Sequence, residues 1–244
     1  VERMLTTIAR YGDGTAQNDR ARIELDSPAN PPIDVGAGSF TYETWLRCAY
    51  ADNDSASPSD VRYTNIALDR DIYGHVRGFV PLGLTRVSGK LVACFGAAGA
   101  GLTWATIAGS VHVGDGLWHH VAVVRNQSTG NVTIYVDGAA DASGTYSTGD
   151  LSYPDGERPT EGQDNPYLVI GAEKHSLGPA YNGELWQLRV SDTARYTGSF
   201  TPARQLLPDG DTAALFPMDE GSGTTARDIS GLTGAENMEL LIGG

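Results

Sequence analysis

Residues Trp118 to Gly138 read WHHVAVVRNQSTGNVTIYVDG. Two apolar runs, Trp118–Arg125 and Asn131–Val136, flank the polar loop Asn126–Gly130. Val, Ile, Tyr and Thr dominate the runs, and a short Gly-containing loop between such runs is hairpin chemistry. In the first run Trp118, His120, Ala122 and Val124 share one side, and His119, Val121, Val123 and Arg125 the other. Apolar residues on both sides predict a strand covered on both faces. In the second run Val132, Ile134 and Val136 oppose Thr133 and Tyr135, and Asp137-Gly138 closes the segment with a turn. The stretch reads as the central hairpin of a packed β-sandwich.

Outward from it, the same grammar repeats. Ala21–Asp26 alternates as an outer strand, and Ser39–Ala51 alternates with Phe40, Tyr42, Leu46 and Cys48 on the core face against Glu43, Trp45 and Arg47. Further strands are expected near Tyr63–Asp69, Val76–Val80, Lys90–Phe95, Leu102–Ile107, Tyr167–Ala172, Gly183–Ser191 and Ala213–Met218. In Gly183–Ser191 strict alternation sets Leu185, Gln187 and Arg189 against Trp186, Leu188 and Val190. Asp141–Asn165 reads as one long polar loop, of the kind that is usually functional or mobile. Many short strands with frequent turn signals and no long helical period predict an all-β sandwich or jelly roll. The organisation expected is a lead-in over 1–20, one domain over 21–231 and a C-terminal tail over 232–244.

Composition narrows the function classes. A 40% hydrophobic chain of 244 residues builds a sizeable core. A net charge of −13 argues against nucleic-acid binding and against docking on anionic lipid. No apolar run is long enough to span a bilayer as a helix. The first residues, VERMLTTIARYGDG, lack a signal-peptide core, so either a leader has been removed or the chain does not use that route. A virion protein released by lysis fits the second case. Cys48 and Cys94 lie in expected strands and read as buried thiols ahead of a bridge. The sequons at Asn53, Asn126 and Asn131 are chance matches by default.

Several stretches together resemble the laminin G-like branch of the concanavalin A-like lectin and glucanase superfamily, of the kind found in phage structural and bacterial surface proteins. They are GSFTYETWLR (38–47), LWHHVAVVR (117–125), IYVDG (134–138), LVIGAE (168–173), NGELWQLRVSDTARYTGSFTPA (182–203) and LFPMDEGSGTTARDISG (215–231). The resemblance implies a two-sheet antiparallel jelly roll. Its last stretch often opens such domains and here stands near the end of the chain, which fits first and last strands lying side by side or a truncated neighbouring repeat.

Function must come from sites, because this fold hosts lectins, hydrolases and structural modules. Retaining hydrolysis needs two carboxylates about 5 Å apart. The superfamily's acidic E-x-D-x-x-E pattern fails here, since Glu24-Leu25-Asp26 is followed by Ala29. Glu43 and Glu184 remain as lone acids. His119 and His120 are adjacent in a strand, so they point to opposite faces and read as structural. Calcium is the cofactor candidate, through Asp52, Asp54 and Asp60 in one loop or Asp150, Asp155, Glu157, Glu161 and Asp164 in another. Saccharide contact needs exposed aromatics, drawn from Trp45, Trp104, Trp186, Tyr153, Tyr167 and Tyr181; Trp45, Tyr153 and Tyr181 are the candidates carried forward.

The reading is a non-catalytic, surface-displayed binding or structural module, set on a virion exterior as capsid decoration, fibre or adhesin. Its expected partners are capsid or tail proteins, glycans and copies of itself. The alternatives are a secreted calcium-dependent lectin and a glycoside hydrolase with a non-standard acid pair.

Overall fold

A computed structural model describes residues 9–11, 20–26, 29–56, 59–72, 78–98, 104–153, 166–174 and 179–241. Fifteen strands occur among them. The first five are β1 (Ala9–Tyr11), β2 (Arg20–Glu24), β3 (Phe40–Cys48), β4 (Asn65–Arg70) and β5 (Phe79–Val87). Next come β6 (Lys90–Ala98), β7 (Trp104–Ala108), β8 (His119–Asn126), β9 (Asn131–Val136) and β10 (Ala139–Thr145). The last are β11 (Tyr167–Ile170), β12 (Gly183–Ser191), β13 (Thr212–Phe216), β14 (Thr225–Ala226) and β15 (Met238–Leu241). Two single-turn 3₁₀ helices, η1 (Tyr50–Asp52) and η2 (Val61–Tyr63), stand between β3 and β4. Among the described residues no helix is long and apolar enough to cross a membrane.

The strands form two antiparallel sheets. The first has seven strands in the order β1-β12-β3-β8-β9-β10, with β13 also paired to β12. The second has eight, in the order β14-β15-β2-β11-β4-β5-β6-β7. The hairpin expected from Trp118–Gly138 is β8–β9, in register with Val121 opposite Val136 and Val123 opposite Ile134. Asp137 and Gly138 take φ of +51° and +81° at its closing turn, the left-handed region that such tight connections demand.

The interior lies between the sheets. Phe40, Tyr42, Leu46 and Cys48 of β3 enter it, as do Val121 and Val123 of β8 and Val132, Ile134 and Val136 of β9. Phe40 and Tyr42 of the first sheet meet Phe79 of the second at ring-centroid distances of 5.1 and 6.0 Å. Each fully buried ring or aliphatic chain of this kind contributes about 1.5–3 kcal/mol. The outer side of β8 is covered too. Ala122, Val124 and Tyr135 pack under Ala194, Tyr196 and Phe200 from the strap 192–207. The strap's Phe200 donates its N–H to the Gly138 carbonyl at 2.9 Å. A Cβ at Gly138 would stand 1.9 Å from the Phe200 oxygen, so this turn must be glycine for the strap to dock.

Four expectations are corrected. The strand near Val76–Val80 begins at Phe79 and runs on to Val87; residues 73–77 lie outside the described residues. The long loop from Asp141 opens instead with β10, whose AADASGT sequence carries little strand signal. Its pairing with β9 through the Asp137-Gly138 turn holds it as a largely solvent-facing edge. The segment 232–244 contributes β15, which pairs with β2, with Leu240 opposite Ala21. The last strand therefore lies beside β2, the first strand of the 21–231 segment, while β1 pairs with β12 in the other sheet.

Strict alternation along β12 also fails. A bulge at Gln187, with φ of +57°, shifts the register between Trp186 and Leu188. Leu185, Leu188 and Val190 all reach the interior, while Glu184, Trp186 and Arg189 lie on the outer face, opposite Arg47, Trp45 and Glu43 of β3.

Candidate functional site

The outer face of the first sheet buries charge. Glu43, 1% exposed, stands opposite Arg189 across β3 and β12. Its Oε1 accepts from Arg189 Nε and Nη2, both at 2.7 Å. Its Oε2 accepts from the Tyr196 hydroxyl at 2.8 Å and lies 3.0 Å from His120 Nε2. Burial pushes the Glu43 carboxyl up, but hydrogen bonds and charge from His120 and Arg189 outweigh it and hold the group below the usual carboxylate range. Tyr196 is driven the other way, up to about 12, by its burial and by the Glu43 charge. Above this cluster Tyr196 and Phe200 stack at 3.5 Å, and Phe200 meets the His120 ring edge at 5.7 Å. Glu43 is thus ionised, saturated with donors and sealed from substrate. Glu184 is ion-paired with Arg47.

The other sequence candidates fall in different places. Trp45 is half-buried, and its indole donates to the Ala203 carbonyl at 3.3 Å, where the strap passes. Tyr153 and Tyr181, expected at a rim, are core residues with 2% and 0% exposure. Tyr181 is held there by hydrogen bonds from its hydroxyl to the Arg47 and Glu184 carbonyls at 3.2 and 3.0 Å. Neither ring has a face for a ligand.

The calcium candidates do not converge. Asn53 between Asp52 and Asp54 points inward, donating to the Ala49 and Asn182 carbonyls, so the two acids face solvent. Asp60 is engaged by Arg62. Among the described residues no group of three or more His, Cys, Asp or Glu side chains is placed to hold a metal ion. Of the second loop only Asp150 is described, and it accepts from Ser152; Asp155, Glu157, Glu161 and Asp164 lie outside the described residues. Cys48 and Cys94 are free and buried, and burial pushes both thiols up to about 12.

The most exposed aromatic side chain among the described residues is one that alternation did not single out. Tyr63, 46% exposed, ends η2 on the outer face of the second sheet. There Val61 packs with Ile66, Val80 and Cys94. A Cβ at position 96 would stand 2.2 Å from Val61 Cγ1, so Gly96 opens the seat for η2. Asp60 caps the turn by accepting from the Arg62 backbone at 3.1 Å. Its two oxygens also take the Arg62 side chain at 3.1 and 2.8 Å. Burial raises the Asp60 carboxyl, but these Arg62 bonds outweigh it and lower the group overall. The fork fixes the guanidinium 5.2 Å from the Trp104 ring centroid and 5.8 Å from that of Tyr63. Tyr63, Arg62, Asp60 and Trp104 form a preorganised cluster in which aromatic faces adjoin planar hydrogen-bonding groups. The sequence signal for it was Asp60 followed two residues later by Arg62, a turn cap that a strand reading from Tyr63 obscured.

The two-layer antiparallel jelly roll defines a concanavalin A-like β-sandwich. The chain belongs to the concanavalin A-like lectin/glucanases superfamily, whose Laminin_G_3 model matches residues 21–197. No curated protein matches it significantly. Solved structures share its fold at low identity. A Bacteroides ovatus protein assigned a carbohydrate-binding role is 17% identical with a TM-score of 0.58, over 96% of this chain and 57% of that one. The chain thus spans little more than half of that relative's length. A heptameric SAP-like pentraxin from Limulus polyphemus is 17% identical with a TM-score of 0.50, over 78% and 77% of the two chains. Tailspike protein 2 of Escherichia coli O157:H7 bacteriophage CAB120 is 12% identical with a TM-score of 0.51, over 87% of this chain and 28% of that one.

Proposed function

We propose that the chain is a non-catalytic glycan-binding module displayed on a surface, with the Tyr63–Arg62–Trp104 cluster as its saccharide platform. The observation that carries this is an aromatic ring 46% open to solvent beside an arginine locked by Asp60. A pyranose stacks its apolar face on such a ring while its hydroxyls meet the fork. The carbohydrate-binding role assigned to the Bacteroides ovatus relative supports this reading. Glu43 supports the non-catalytic part, because a sealed, saturated carboxylate neither attacks an anomeric carbon nor carries a proton to a leaving group. The setting we assign is a virion or cell exterior, in an assembly with capsid or tail proteins or with copies of itself. The shared fold of a phage tailspike and of a heptameric pentraxin supports that setting.

The test is a glycan array followed by titration of Tyr63→Ala. Replacing an exposed ring leaves thermal stability within about 1 kcal/mol. It weakens binding at least about tenfold, or 1.4 kcal/mol. Equal affinity in Tyr63→Ala refutes the platform. Binding lost with chelator in the wild-type chain would instead favour a calcium-dependent lectin.

A further inference from the structure

Three of the four tryptophans gather on the opposite side of the sandwich. The strap 192–207 covers the half of the first sheet's outer face that holds Glu43 and reaches the neighbouring row at Trp45, through Ala203. Beyond it, Trp186 lies directly opposite Trp45 across β12 and β3, and Glu184 opposite Arg47. Trp118, which leads into β8, meets Trp186 at a ring-centroid distance of 6.3 Å and an interplanar angle of 65°. The Arg47 guanidinium sits 5.1 Å from the Trp118 ring centroid and is ion-paired with Glu184. The Arg47 and Glu184 side chains are 40% and 24% exposed, and all three tryptophans are half-buried. The Gln187 bulge makes this arrangement, since it keeps Glu184 and Trp186 outside together with Arg189.

We infer that Trp118, Trp186, Arg47 and Glu184 form a second saccharide-binding surface, selective for neutral glycans, on the face opposite Tyr63. The ion pair offers donors and acceptors beside tryptophan faces, as a sugar requires. It also leaves the surface without excess positive charge. The chain as a whole carries a net charge of −13. Sialylated or uronic chains are therefore repelled, and binding of neutral chains is insensitive to salt. The two surfaces lie outside different sheets and point apart, so one chain bridges two glycan strands. The inference rests on the glycan-binding reading of the fold.

The experiment is calorimetric stoichiometry per chain with neutral hexaoses of the cello, laminari, manno, xylo and chito series. Tyr63→Ala, Trp118→Ala and Arg47→Met are compared at two salt concentrations. Arg47→Met, on a side chain 40% exposed, carries the test if Trp118→Ala does not fold. The expected result is two sugars per chain, falling to one in each single variant, with affinities unchanged by salt. One sugar per chain, lost in Tyr63→Ala and untouched by Arg47→Met, overturns the second surface and leaves the first. One sugar, lost in Arg47→Met and kept in Tyr63→Ala, supports the second surface and removes the first. No binding across the panel overturns both.

Discussion

Replacing Glu43 by Gln changes one oxygen to an amide nitrogen and removes a charge from a site that is 1% exposed. In the native cluster the two Glu43 oxygens receive Arg189 Nε and Nη2 on one side and the Tyr196 hydroxyl on the other. A glutamine keeps one acceptor and turns a donor toward a donor, and it leaves the Arg189 charge buried without its counter-ion. Breaking one partner of a buried pair costs about 3–5 kcal/mol. For a domain of this size that lowers the melting temperature by about 6–20 °C. The pH profile carries a second signature. The folded-state pKa of Glu43 is depressed, so its contribution is present above the unfolded-state value of about 4.3 and is lost as pH falls through the folded value. Glu43→Gln should therefore show a flatter acid limb. The assay is urea unfolding at pH 7 and at pH 3–5, run with Glu43→Gln/Arg189→Met, which removes both charges and recovers much of the loss. A loss under about 1 kcal/mol with an unchanged denaturant slope would refute the account of Glu43 as a structural anchor. Reducing-end release from a glycan that disappears in a fully stable Glu43→Gln would show catalysis instead.

His119 gives a pH effect of opposite sign. Burial lowers its pKa, but the hydrogen bonds it donates to Asp137 at 2.7 Å and Asp115 at 3.1 Å outweigh burial and raise it overall. Its stabilisation is full below the unfolded value of about 6.5 and fades as pH rises through the higher folded value; histidine titration by NMR should show the upward shift, absent in Asp137→Asn. Gly138→Ala would force a methyl against the Phe200 oxygen at φ of +81°, so it should cost at least about 1–3 kcal/mol and loosen the strap to proteolysis near Phe200. Cys48 and Cys94 should resist a thiol reagent in the native state and react together on unfolding, because burial holds both as neutral thiols; fast native labelling would contradict their placement.

Side-chain alternation is a property of each strand taken alone. For that reason it correctly assigned Phe40, Tyr42, Leu46 and Cys48 inward and Glu43, Trp45 and Arg47 outward, and it placed apolar groups on both faces of β8. The order of the family-like stretches carried the two-sheet jelly roll as well. Alternation has no means of detecting an inserted residue, so the Gln187 bulge, and with it the sidedness of Leu188, Arg189 and Val190, was set by pairing with β3. Exposure depends on which distant segment lies overhead. Tyr153 and Tyr181 sit in turn-rich sequence yet belong to the buried core, while Tyr63 reads as the start of a strand yet stands on η2 in solvent. Glu43 and Tyr196 are 153 residues apart and meet only because the strap folds back over β3. Local periodicity decided which side of each strand a residue takes; contacts between segments far apart in the chain decided which of those residues water, and any glycan, can reach.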